Sequence, residues 1–548
     1  MKRNLSSFYA AILMCCIAAT VFAGGDQQQS QTSGSAQSGA AGGGTLVMGE
    51  FIFDTQMAVK NPFFPANTKA DLLPFMYETL MYFNPIAGKL EPAIATGYEW
   101  GSDNLSLTFA IRDGIVWHDG KPLTAADVAY TYDVLKTDPM LDRFGLWKKL
   151  SSVEASGNKV IFRLSQRFPS LPYYTNDVFI VPKHIWEALP SVVNALNEKP
   201  IGSGPFIWTA YNSGTDIQFT ANKQYWRGAP KLDAIVCKIF NSSPNLMLNL
   251  IRGDIYASLG TMTMPSIPEL LTKPGAKIQV YNSTNNFVVA MNNENPLLAD
   301  VNVRKAMSMA VNVGDLITKG EYNAALPTSA GWLSGLFGEL QSEKARQPHV
   351  YDPAGAMALL ERAGYSKGRD GIYQKNGKRL SFTYHNASGA PAQQMEAGMI
   401  QQWLLNIGIE IIPRLATWAE LTQLLQTGRY DLLQNQIAYL VDPYAALNTS
   451  FHSSMTAPSG QTTMGTNYFR YRNPQVDALL DQVSSEMDPA KQKELYYKIQ
   501  DIIIDDVPFI PMYLGGHIPY YDGGRYSGWD TTATVFSTQG IIKIYENK

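Results

Sequence analysis

FAIRDGIVWHDGKPLTAADVAYTYDVL, residues 109–135, carries a strand, two turns and the start of a helix in one short run. Leu105, Leu107, Phe109 and Ile111 alternate with polar or small residues, the pattern of a half-buried strand. Arg112-Asp113-Gly114 and then His118-Asp119-Gly120 turn the chain. Thr124 is a helix N-cap, and Asp127 three residues on supplies the capping-box partner. The helix runs on through Val128, Tyr132 and Leu135, and Val160, Phe162 and Leu164 make the next strand. Strand, helix and strand joined by short connections predict an α/β protein.

The same alternation continues outward. Val303, Met307, Ala310 and Val311 share one helix face. Asp352-Pro353 opens a helix that Gly364 closes. Met399, Ile400, Trp403 and Leu404 mark another, stopped at Gly408, and Ile409–Ile412 leads into a strand. Asp488-Pro489 starts a long helix that ends before Pro508. No short repeat appears.

At roughly 100–200 residues per domain, 548 residues predict about three domains. Hydrophobic residues make up 45% and charged residues 17%, enough apolar material for large cores. A formal net charge of -3 lacks the basic footprint of a nucleic-acid binder, so no nucleic-acid partner is expected.

Lys2 and Arg3 precede an apolar stretch from Phe8 to Phe22, which reads as a signal peptide, residues 1–23, cleaved after Ala23. Cleavage leaves 42 basic against 47 acidic residues, because the segment holds two bases and no acid. A lipid anchor at Cys15 or Cys16 is the alternative address, although Met14 before Cys15 matches that signal poorly. Only Cys237 then remains in the body, so stability has to come from core burial rather than a disulfide framework. Residues 24–44, rich in Gln, Ser and Gly, read as a disordered leader. No later apolar run reaches ~18 residues without a charge or Pro, so a soluble extracytoplasmic protein is expected, periplasmic or tethered by lipid.

Chemistry is sparse. The six His (118, 184, 349, 385, 452, 517) form no local metal pair, so no metal and no cofactor is expected. Gly202-Ser203-Gly204 has the wrong spacing for a nucleophile elbow, and Pro205 has no N–H to offer an oxyanion. No catalytic residue is assigned, and the chain reads as a non-enzyme.

Several blocks together resemble the bacterial extracellular solute-binding proteins of family 5, the receptors of dipeptide, oligopeptide and nickel ABC importers. These are the 109–135 stretch, IVPKHIW (180–186), IGSGPF (201–206), NKQYWRGAPKLDAIVCKIF (222–240), DVNVRKAMSMAVN (300–312) and YDPAGAMALLERAGY (351–365). The resemblance implies an α/β, two-lobed periplasmic-binding-protein fold of type II, with an extra subdomain in the first lobe and a hinge between lobes. It places the first lobe at 45–285 with the subdomain at about 76–199, the second lobe at 286–509, and a return to the first lobe at 510–548. The function it implies is capture of peptides between the lobes by hinge closure and delivery to ABC permease subunits with cytoplasmic ATPases, by a monomer.

By the same comparison the ligand-binding residues are Glu50 and Phe51 after the first strand, Trp418, Asn435, Gln436, Tyr439 and Asp442. Gln434 to Gln436 would lend backbone hydrogen bonds to an extended ligand. In peptide-binding members a cleft Asp pairs with the peptide ammonium; an ungapped placement puts Tyr439 there, with Asp442 three residues later. Because a buried ammonium needs a carboxylate, a cello-oligosaccharide or another sugar stays open as ligand, with Trp418 and Tyr439 as stacking surfaces. Asn61-Pro62-Phe63 resembles the saccharide branch. A secreted glycoside hydrolase is a remote alternative, and would need paired cleft carboxylates.

Overall fold

The computed structural model describes residues 43–51, 60–63, 72–138, 141–142, 145–193, 195–260, 264–438, 441–463, 465–515 and 518–547. The expected signal peptide, residues 24–42 of the leader and Tyr439 lie outside the described residues.

The 109–135 stretch folds as its spacing predicts. Ser106–Ile111 is a strand with Leu107, Phe109 and Ile111 buried. Thr124 caps the helix α1 (Ala125–Val134), its N–H donating to Asp127 Oδ2 at 2.8 Å in a complete capping box. The other Asp127 oxygen accepts from Lys183 N at 2.9 Å, which fastens α1 to the 180–186 block.

His118 joins the second turn to Gly202-Ser203-Gly204. Gly202 N donates to Nδ1 at 3.2 Å, so the proton sits on Nε2, which donates to Gly204 O at 3.0 Å. Burial pushes this imidazole down to about 4. A Cβ on Gly202 would lie 1.8 Å from Met76 O, so only glycine allows this approach. Ser203 is buried and donates to Glu78 at 2.9 Å; Tyr225 OH (2.7 Å) and Trp226 Nε1 (3.0 Å) donate to the same carboxylate. Burial raises the Glu78 carboxyl above its ordinary range, against those hydrogen bonds and the charge of Arg227. Three of the sequence blocks thus meet at one buried acid and one imidazole.

Strand β1 (Thr45–Phe51) lies inside a seven-stranded sheet, parallel to Ala234–Phe240 on one side and Ala257–Ser258 on the other. Phe206–Asn212, Asp216–Ala221, Ala276–Ile278 and Tyr520–Asp522 complete that sheet. A separate antiparallel sheet of Ala95–Trp100, Ser106–Ile111, Lys159–Leu164 and Leu150–Ser156 carries α1, whose Tyr132 ring meets Phe162 edge-on at 4.7 Å. The two sheets share one hydrophobic core, in which Cys237 is buried.

The second large sheet is built from β2 (Asn285–Met291), β3 (Ser381–Ala387), β4 (Glu410–Ala416), β5 (Leu432–Ala438), β6 (Phe509–Leu514) and the short Leu326–Pro327. From the short strand inward its order is β6, β2, β5, β3, β4. Strands β3, β4 and β5 are parallel, whereas β2 runs antiparallel to β5 and β6. Alternation divides its side chains. Val289, Met291, Phe382, Tyr384 and Leu432 face helix α2 (Pro391–Asn406) through Ile400 and Leu404. Val288, Ala290, Leu433 and Ile437 face α3 (Trp418–Thr427) and α4 (Pro443–Phe451) through Leu421, Leu425 and Phe451.

Residues 279–284 lead from one large sheet to the other, and they touch the end of β6: Ser283 Oγ donates to Gly515 O at 2.8 Å. β6 stays paired with β2 as far as Leu514. Among the described residues, no helix is long and apolar enough to cross a membrane.

Candidate functional site

Ligands of open α/β sheets collect at the carboxyl ends of parallel strands. At that end of the second sheet, β5 outruns its neighbour. β3 pairs with β5 only at Tyr384↔Leu432 and His385↔Leu433, yet stays paired to β4 as far as Ala387↔Ala416. From Gln434 to Ala438, β5 is bonded to β2 alone among the described strands, so its other edge is open. A row of unpaired N–H and C=O groups is a template for an extended chain. Half-buried Asn435 carries an Nδ2 with no hydrogen-bond partner among the described residues, and Gln436 is exposed.

Beneath this edge lies a polar network on the α2 face. Gln434 Nε2 donates to Glu396 Oε2 at 2.6 Å, and Tyr513 OH donates to the same carboxyl at 2.9 Å. Gln434 Oε1 accepts from Asn386 Nδ2 at 2.9 Å and from Tyr384 OH at 3.4 Å. Burial, and then the neighbouring Glu321, holds Glu396 well above the usual carboxylate range. Two buried carboxyls that hydrogen-bond to each other must share a proton.

A family model for the bacterial extracellular solute-binding proteins, family 5 (middle region), matches residues 89–457. The chain belongs to that family. Oligopeptide-binding protein AppA of Bacillus subtilis is 28% identical over 424 residues, 75% of each chain. The structure of AppA in complex with a nonapeptide matches at TM-score 0.67 and 24% identity, covering 92% of this chain and 99% of that one. The periplasmic oligopeptide-binding protein of Thermotoga maritima matches at TM-score 0.79 and 26% identity, over 92% and 99% of the two chains. A mannohexaose-bound structure of that protein matches at TM-score 0.70 and 25% identity, over 92% and 98%. The fold is accordingly the type II periplasmic-binding-protein fold.

Within this family fold, the residues singled out from sequence fall in different settings. Asn435 and Gln436 lie on the open edge of β5. Trp418 begins α3 beyond the carboxyl end of β4; it is 54% exposed, beside Leu415 at 61%. Its helix starts in a capping box, Thr417 N donating to Glu420 Oε2 at 2.7 Å, which fixes the backbone from which the indole projects. Glu50 and Phe51 end β1, past the last residue that pairs with Ala257–Ser258, and Glu50 is buried. Tyr439 is outside the described residues.

Asp442 sits at the start of α4. It is 1% exposed and caps α4, accepting from Tyr444 N and Ala445 N at 3.1 Å each. Ser170 Oγ donates to it at 2.8 Å from a segment that follows the four-stranded sheet. Burial raises its carboxyl to about 6. The Asp-Pro pair at 442–443 is a helix start, and its carboxylate serves the helix and a clasp to Ser170.

Glu396, Gln434 as a side chain, and Asn386 were missed from sequence. One signal was present: Glu396 lies four residues before Ile400 and eight before Leu404, on the helix stripe that is otherwise apolar. A carboxyl on a buried stripe demands a polar partner in the sheet below. Among the described residues, no group of three or more His, Cys, Asp or Glu side chains could hold a metal ion.

Proposed function

We propose that this chain is the extracytoplasmic substrate-binding protein of an ABC importer for peptides. One observation carries the reading: from Gln434 to Ala438 one edge of β5 is paired by no described strand, and such an edge offers main-chain hydrogen bonds to an extended ligand without regard to its side chains. The oligopeptide-binding names of its Bacillus and Thermotoga relatives support it. In this reading the hinge is at 279–284 and Gly515, and the lobes it joins close over the ligand. Ligand contacts both lobes only in the closed state, so binding shifts the population toward it. Permease subunits and their ATPases read that closure. Residues 1–23 export the chain, which works as a monomer and catalyses nothing.

A second reading is favoured by two observations, the exposed Trp418 indole and the mannohexaose-bound Thermotoga relative. Aromatic planes suit sugar rings, and the ligand would then be an oligosaccharide.

Native mass spectrometry of the protein as purified tests the choice. Mass increments of peptides, with fragment ions to match, are expected. Increments of hexose residues would replace the peptide reading with the saccharide one.

A further inference from the structure

Resting on the reading of β5 as the ligand strand, we propose that Asn386 is a specificity-determining residue: its Oδ1 is a fixed acceptor for an N–H or O–H of the ligand. Its orientation is set by a chain of three side chains. The proton that Glu396 shares lies between it and Glu321, which leaves Oε2 to accept from Gln434 Nε2 at 2.6 Å. Gln434 Oε1 is thereby turned toward β3, and it needs a donor. Asn386 Nδ2 supplies one at 2.9 Å. The Asn386 amide cannot rotate by half a turn without setting two carbonyl oxygens against each other, so Oδ1 must point away from the network. There it has no hydrogen-bond partner among the described residues, although Asn386 is 1% exposed. A buried acceptor with no donor is costly to leave so.

Its position gives it a use. Asn386 is the next-to-last residue of β3, one step beyond the point where β3 and β5 stop pairing. Asn386 therefore stands in the strand register where the β5 edge begins to open. Gln393 Oε1, one helical turn before Glu396 on the same face of α2, is a second buried acceptor without a donor among the described residues. Asn435 Nδ2, on the neighbouring residue of β5, is an unmatched donor. The demand on the α2 face is thus for ligand donors. A main-chain amide meets it, a sugar hydroxyl meets it, and an N-substituted amide does not. Glu396 and Gln434 are positioning residues, acting through Asn386.

Isothermal titration of hexa-alanine, and of the same peptide N-methylated at each amide in turn, tests this on the unaltered protein and on N386A. The unaltered protein should bind hexa-alanine and lose about tenfold in affinity for at least one N-methylated form. N386A should lose a similar factor for hexa-alanine and nothing further for that same form. Equal affinity of both proteins for every peptide overturns the role of Asn386 and leaves the importer reading intact. If the unaltered protein ignores peptides but binds mannohexaose, and N386A binds it about tenfold more weakly, the peptide reading falls and Asn386 stands. Because the N-methyl series needs no substitution, a poorly folding N386A does not remove the test: uniform affinity across the series overturns the proposal by itself.

Discussion

Replacing Glu78 with Leu should unfasten the joint at which three sequence blocks meet. The carboxylate receives Ser203 Oγ at 2.9 Å, Tyr225 OH at 2.7 Å and Trp226 Nε1 at 3.0 Å, and it is 3% exposed. Leucine keeps the volume and removes every acceptor. Two buried donors and the half-buried Trp226 indole, stripped at ~1–3 kcal/mol each, would sum to several kcal/mol. Removing a carboxyl that burial already disfavours offsets part of this, which leaves a net loss of about 3–5 kcal/mol. Urea unfolding followed by circular dichroism reads it, and a cycle with Tyr225→Phe identifies the cause. Y225F alone should cost ~1–2 kcal/mol and almost nothing in the E78L background. A loss below ~1 kcal/mol for E78L, or full additivity in the cycle, would refute the idea that this acid organises the joint.

Further outcomes follow from the same structure. Gly202→Ala forces a Cβ to within 1.8 Å of Met76 O, so G202A should unfold at much lower urea than the parent while an Ala at solvent-open Gly214 costs far less. His118, held at about 4 against 6.5 when unfolded, takes up its proton only in the unfolded chain between those values, so its contribution to stability is lost as pH falls from 6.5 to 4, by up to about 3 kcal/mol. Asp442, raised to about 6 from 3.8, acts with opposite sign: its contribution is present below 3.8 and lost as pH rises through 6. The two nearly cancel, so D442N should lose stability more steeply than the parent between pH 6 and 4 in thermal melts; parallel melts would contradict this. Trp418→Ala should leave stability within ~0.5 kcal/mol, because the ring is 54% exposed, and weaken ligand binding several-fold by titration.

Much of the fold was legible because its signals are local. The Thr124–Asp127 capping box, the Asp352-Pro353 and Asp488-Pro489 helix starts and the Ser106–Ile111 strand all form where short-range chemistry puts them. Asp442-Pro443 bears the same signature as those two starts and forms a helix cap in the same way. The site was less legible because its parts are distant in sequence. Glu396, Gln434 and Asn386 meet only once β3 and β5 are parallel neighbours under α2, and nothing within a short window of sequence announces that. The place where β3 and β5 part is likewise a property of the sheet; β5 taken alone is only an apolar strand with a Gln-Asn-Gln interruption.

The central claim is that one peptide is enclosed between two lobes that close on it. Small-angle scattering of the ligand-free protein, titrated with hexa-alanine, measures this directly. The radius of gyration should fall as peptide is added and stop falling at one peptide per chain. A radius unchanged at saturating peptide, or a fall that peptide cannot produce and mannohexaose can, would contradict it.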